Sequence, residues 1–170
     1  MTSMAEWAPL LRDQVVDHYV ANYGLDPTGR IGNPAVAGTF QFCGLEVHVD
    51  HGGDGGYALY ETVEPWPTAR QDYQRHTPRT AENDAADFLI RVLDCVPQRN
   101  EDGTIPDATE YDASVLYIQD LGQGLFDAMR AGRQQWRGDG TGYVHFDGIR
   151  PIPRQGTHAG WEIRVVCEVC

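Results

Sequence analysis

Apolar positions along the N-terminal segment recur at helical spacing. Trp7, Leu11, Val15, His18 and Asn22 form one stripe, which Leu10 and Tyr19 widen. Ser3 with Glu6 three residues later makes a capping box, and Gly24 can take the left-handed conformation that stops a helix, so the pattern predicts a helix over about 4–22. Leu25 to Pro34 is rich in Gly, Pro, Asp and Asn and reads as a connecting loop. From Val36 to Val49 the alternation runs in two phases, Phe40 and Phe42 before Gly44, then Leu45, Val47 and Val49 after it. A bulge at Cys43-Gly44 in a bent strand accounts for the break. After the glycine-rich turn at 51–56, alternation resumes at Tyr57, Leu59, Glu61 and Val63, and the two strands are expected to pair as a hairpin.

Glu64 to Asp87 contains Pro65, Pro67 and Pro78 among mixed charges and has no period that would bury a face, so a long functional or flexible loop is expected there. Phe88 to Val96 is apolar on both faces apart from Arg91 and Asp94, the pattern of a central strand. Asp107 and Glu110 form a second capping box ahead of a long helix. Tyr111, Val115, Ile118, Leu121, Gly122, Leu125, Ala128 and Met129 share one face of it, and Gly132 is placed to end it. A glycine inside a helix costs about 1 kcal/mol relative to alanine, so Gly122 implies a close approach to the sheet. Tyr143 to Ile152 reads as a strand interrupted at Gly148 and Pro151, and Trp161, Ile163, Val165, Cys167 and Val169 alternate strictly in a closing strand. The element order predicts one α+β domain over 1–170: a mixed or antiparallel sheet with an N-terminal helix and one long central helix packed on it.

Thirteen Lys+Arg against 25 Asp+Glu give a formal net charge of -12, which argues against wrapping nucleic acid or lying on an anionic membrane. No apolar run reaches bilayer length and the N-terminus lacks a signal pattern, so the chain is expected in the cytoplasm that makes it. Cys43, Cys95, Cys167 and Cys170 lie mostly in strand-like apolar runs, where reduced thiols behave as small hydrophobes, and a disulfide framework is not expected.

Candidate chemistry is sparse. His48, Asp50, His51 and Asp54 could ligate a transition metal or activate water in a small metal-dependent hydrolase, but the same residues suit the solvent-exposed end of a hairpin, and supporting ligands are missing. Cys167 and Cys170 form a CxxC without the second pair a zinc site needs. The glycines at 52–56 lack the Lys-Ser/Thr of a phosphate loop, and Ser3 and Ser114 sit in helical contexts. Arg70, Arg75 and Arg79 with Tyr73 and His76 form the one basic, aromatic-bearing stretch, inside the long loop. Trp66, Tyr73 and Trp136, in segments of low periodicity, are the candidate exposed interface anchors. No catalytic constellation emerges, and neither an enzyme nor a bound cofactor is expected.

Five stretches carry a family resemblance. Phe88 to Pro97, Gly103 to Pro106 and the helix from Asp107 to Gly132 resemble the core of tail terminator proteins from siphophages of actinobacteria, and Val144 to Gly148 with Trp161 to Cys167 is similar to their final two strands. The resemblance implies a virion protein, assembled in the host cytoplasm, that caps the completed tail tube as a ring, usually a hexamer. Its partners would be further copies of itself, the tail tube protein and the head-to-tail connector or neck protein. Genomic DNA would pass through the lumen without specific binding, which suits an acidic subunit. In the family the long loop points to the lumen or a neighbour; the best match here is 64–87, whose three arginines depart from a purely repulsive lining. Neck, stopper and tail-tube subunits share the same general pattern and remain alternatives.

Overall fold

The computed structural model describes residues 2–32, 44–51, 58–61, 84–97 and 102–169. Its elements are α1 (Met4–Tyr23), β1 (Thr28–Ile31), β2 (Glu46–His51), β3 (Ala58–Glu61), β4 (Asp84–Cys95), α2 (Ala108–Asp139), β5 (Val144–Gln155) and β6 (His158–Val169). The architecture is α+β: a mixed sheet with the N-terminal helix and the long central helix packed on it.

Both helices start where local chemistry says they should. The Ser3 N–H donates to Glu6 Oε2 at 2.7 Å, and the Glu110 N–H donates to Asp107 Oδ1 at 2.9 Å, so each capping box satisfies donors that the first helical turn leaves open. Helix α1 ends at Gly24, whose φ of 63° requires the left-handed region. Its buried line is Trp7, Leu11, Val15 and Tyr19, while His18 is half-buried and Asn22 exposed. Helix α2 does not stop at Gly132. It continues to Asp139 with Gly140 as its left-handed cap, because position 132 serves packing: a Cβ there would lie 2.7 Å from the Trp136 ring and 2.9 Å from Gln14.

The strand order is β1-β2-β4-β6-β5, with β3 also beside β4. All neighbours are antiparallel except β1 and β2, which are parallel. Three expectations are corrected here. Thr28–Ile31, read as loop, is an edge strand, because its amide and carbonyl groups find partners along β2. The expected hairpin between β2 and β3 is not formed. His51 faces Phe88 and Ala58 faces Asp87, so β2 and β3 follow one another along the same edge of β4, whose 12 residues accommodate both. Finally, the loop predicted over 64–87 gives up its last residues to β4, which begins at Asp84; 64–83 lie outside the described residues. Strand β5 carries Pro151 without penalty because, among the described residues, β6 is its one partner in the sheet, and a proline on an edge strand need not donate to the ladder.

The core forms between the helices and one sheet face. Val47, Val49, Phe88, Ile90, Val92, Ile163, Val165 and Cys167 meet Trp7, Leu11, Val15, Tyr19, Leu121, Leu125 and Met129, all fully or almost fully buried. The close approach expected at Gly122 is present: a Cβ there would sit 2.6 Å from the Trp161 indole. The cysteine expectation is corrected in part. Cys167 is a buried free thiol, but Cys95, at the end of β4, is disulfide-bonded to a partner outside the described residues.

Candidate functional site

Strand alternation sorts the polar residues onto the sheet face that the helices leave. Along one register line His48 pairs with Arg91, Arg91 with Glu162, and Glu162 with Arg150; Arg30 of β1 sits beside His48. Glu46, Asp50, Asp87 and Arg164 share this face by their spacing from those positions. The result is a network of opposite charges crossing the sheet. Glu46 accepts from His48 Nε2 at 2.7 Å and lies 3.4 Å from Arg30 Nε. Arg91 reaches Asp50 at 3.7 Å and Glu162 at 3.5 Å. Arg164 Nε donates to Asp87 Oδ2 at 2.7 Å, and its Nη2 contacts the same oxygen.

His48, Asp50 and Asp87 are buried, at 1%, 3% and 1% exposure. Burial holds the His48 imidazole below its usual pKa, opposed by the hydrogen bond and charge of Glu46 and assisted by the charge of Arg30. On the β5 side a cleft of about 340 Å³ is lined by His145, Asp147, Arg150 and Arg164, and a neighbouring one reaches Asp87 and Glu162. Carboxylates and guanidinium groups alternate throughout. The arrangement ties strands together across the sheet and presents both signs of charge together.

Of the four metal candidates, His48 and Asp50 do share a face, as their i, i+2 spacing requires. His51 is the last residue of β2, in register with Phe88, and Asp54 lies outside the described residues. Among the described residues, no three His, Cys, Asp or Glu side chains come together as a metal-holding group. No protein-family model and no curated protein sequence matches the chain. Among the described residues, no helix is long and apolar enough to cross a membrane.

Trp66, Arg70, Tyr73, Arg75 and Arg79 lie outside the described residues. Trp136, expected as an exposed anchor, is corrected to a core residue, at 3% exposure. It stands edge-on to Trp7 with ring centroids 5.3 Å apart and an 87° interplanar angle, because α2 runs on past Gly132 and carries it back over α1.

Two features of α2 escaped the sequence reading. Its fully buried residues begin at Leu121; the turn before packs only Tyr117 and Ile118 partly against the core, and Val115, expected in the core, is 55% exposed beside Leu116 at 62%. At the other end, Arg130, Arg133 and Arg137 each stand over an aromatic ring, Phe126, Phe146 and Tyr143 respectively. Their i, i+3, i+7 spacing is visible in the sequence. The rings beneath them are not, since two of the three belong to β5 or the turn before it.

Proposed function

We propose that this chain is a structural subunit of a long-tailed phage: a tail terminator that closes into a ring on the finished tail tube and offers the surface to which the neck joins. Its partners are then further copies of itself, the tube protein and a connector, and it resides in the virion. DNA passes the ring without being held.

One observation carries the proposal. The stretches that resemble tail terminators, scattered over the sequence from Phe88 to Cys167, form a single spatial unit: β4 at the sheet centre, α2 across it, and the β5–β6 hairpin alongside. Two further facts fit. The chain carries a net charge of -12, suited to a lumen that must not retain DNA, and the first half of α2 exposes Val115 and Leu116 to a neighbour.

Molar mass by light-scattering chromatography over a range of concentrations tests the proposal. A discrete species of fixed stoichiometry is expected. Open-ended growth with concentration would point instead to a tail-tube protein, because a head-to-tail interface that does not close propagates. A single-copy mass at every concentration would count against self-assembly altogether.

A further inference from the structure

The charge on α2 is sharply divided. From Asp102 to Asp120 there are five carboxylates, Asp102, Asp107, Glu110, Asp112 and Asp120, and no cation. The C-terminal half of the helix carries Arg130, Arg133 and Arg137 on its solvent side. Asp107 and Glu110 are engaged in capping, but Asp112, Leu116 and Asp120 are spaced four residues apart and so form an outward stripe, acid-leucine-acid. The helix is 32 residues long, about 48 Å, so one copy can present both ends at once.

We infer that the exposed acidic face of the N-terminal half of α2 docks on the arginine strip of α2 in a second copy of this chain. The inference deepens the ring reading and rests on it for its partner. Three observations on the molecule select that occupant. The two surfaces are complementary in charge. Among the described residues neither Arg133 nor Arg137 has a carboxylate within ion-pair distance, and Arg130 has only Asp127, at 4.0 Å. A chain with net charge -12 repels its own copies on average, so a cluster of cations is a favourable seat for association. Leu116 and Val115, which would gain from leaving water, lie between the acids and supply the apolar part of the contact. Stacking over Phe126, Phe146 and Tyr143 holds the guanidinium groups against the surface, which lowers the entropy lost when they pair. Repeated about a common axis, the contact closes a ring; made reciprocally by antiparallel helices, it closes a two-fold pair.

Charge reversal on the full chain tests it. One variant carries Asp112→Arg and Asp120→Arg, the other Arg130→Glu and Arg137→Glu; all four positions are exposed and none is a capping residue, and circular dichroism checks that each variant folds. Each variant is expected to associate at least tenfold more weakly than the parent, down to a mass near the 18.9 kDa of one copy, and an equimolar mixture is expected to regain assembly, since every reversed face then meets a reversed strip. Parent-like assembly of the folded variants, or a mixture that stays dissociated, would overturn the inference while leaving the ring reading in place. A parent that remains a single copy at all concentrations would overturn both.

Discussion

Gly122 of α2 lies directly beneath the indole of Trp161 in β6, whose Nε1–H donates to the Ile118 carbonyl of the same helix at 2.6 Å. The missing side chain lets the helix come down onto the sheet, and the hydrogen bond fixes the ring so that it cannot yield. Gly122→Ala is therefore expected to destabilise by about 1–3 kcal/mol, although alanine is the better helix former. Thermal unfolding reads this as a drop of roughly 2–4 °C per kcal/mol.

Gly138 supplies the opposite case. It belongs to the same helix, yet a Cβ there would meet nothing within 4 Å. Gly138→Ala is expected to raise stability by about 0.5–1 kcal/mol, measured in the same melts. Equal effects at the two positions would mean that α2 is not seated as described.

His48 makes stability depend on pH. Its folded pKa lies below the ordinary value of 6.5, chiefly because burial disfavours the charged ring. The unfolded chain takes up a proton as pH falls through about 6.5, whereas the folded chain does so only at a lower pH. This share of stability is complete above the unfolded value, declines as pH falls toward the folded value and levels off below it. His48→Gln is expected to lose less stability than the parent between neutral pH and pH ~5.5. His18, also lowered by burial, keeps its own contribution in both proteins.

The Asp87 carboxylate is 1% exposed and receives the guanidinium of Arg164. Replacing a cation that serves a buried carboxylate is expensive, even though Arg164 itself is 58% exposed and so partly screened. Arg164→Gln is expected to destabilise by about 1–3 kcal/mol, and combining it with Asp87→Asn should cost less than the sum of the two single changes. Strict additivity in a double-mutant cycle would show that the pair is not coupled.

Cys95 yields a covalent prediction. With Cys167 free and four cysteines in the chain, one disulfide leaves two thiols to be titrated in denatured, unreduced protein. Four titratable thiols would show that the disulfide is absent.

What could be read from the sequence was local. The capping boxes at Ser3 and Asp107 and the strict alternation of β6 depend on neighbours within a few residues, and they lie where the pattern put them. Pairing is non-local, and that is where expectation failed: nothing in residues 28–31 reveals a parallel partner at 46–49, and alternation at 58–61 does not say that β4 rather than β2 lies beside it. Gly132 looked like a stop signal because a helix cap and a packing glycine leave the same mark on a sequence. Of the site, the i, i+2 placement of His48 and Asp50 on one face was legible. The counter-charges of Arg91 and Glu46 that occupy them were not, because cross-strand register decides the first and side-chain rotamer the second.

Negative-stain imaging of the purified full chain, with class averages of the particles that elute as a single peak, tests ring assembly most directly. Closed annular particles with a central hole are expected, their mass a whole multiple of 18.9 kDa and that of a hexamer if the stoichiometry follows the resemblance. Particles no larger than one copy at every concentration, or open filaments without a fixed end, would contradict the terminator assignment.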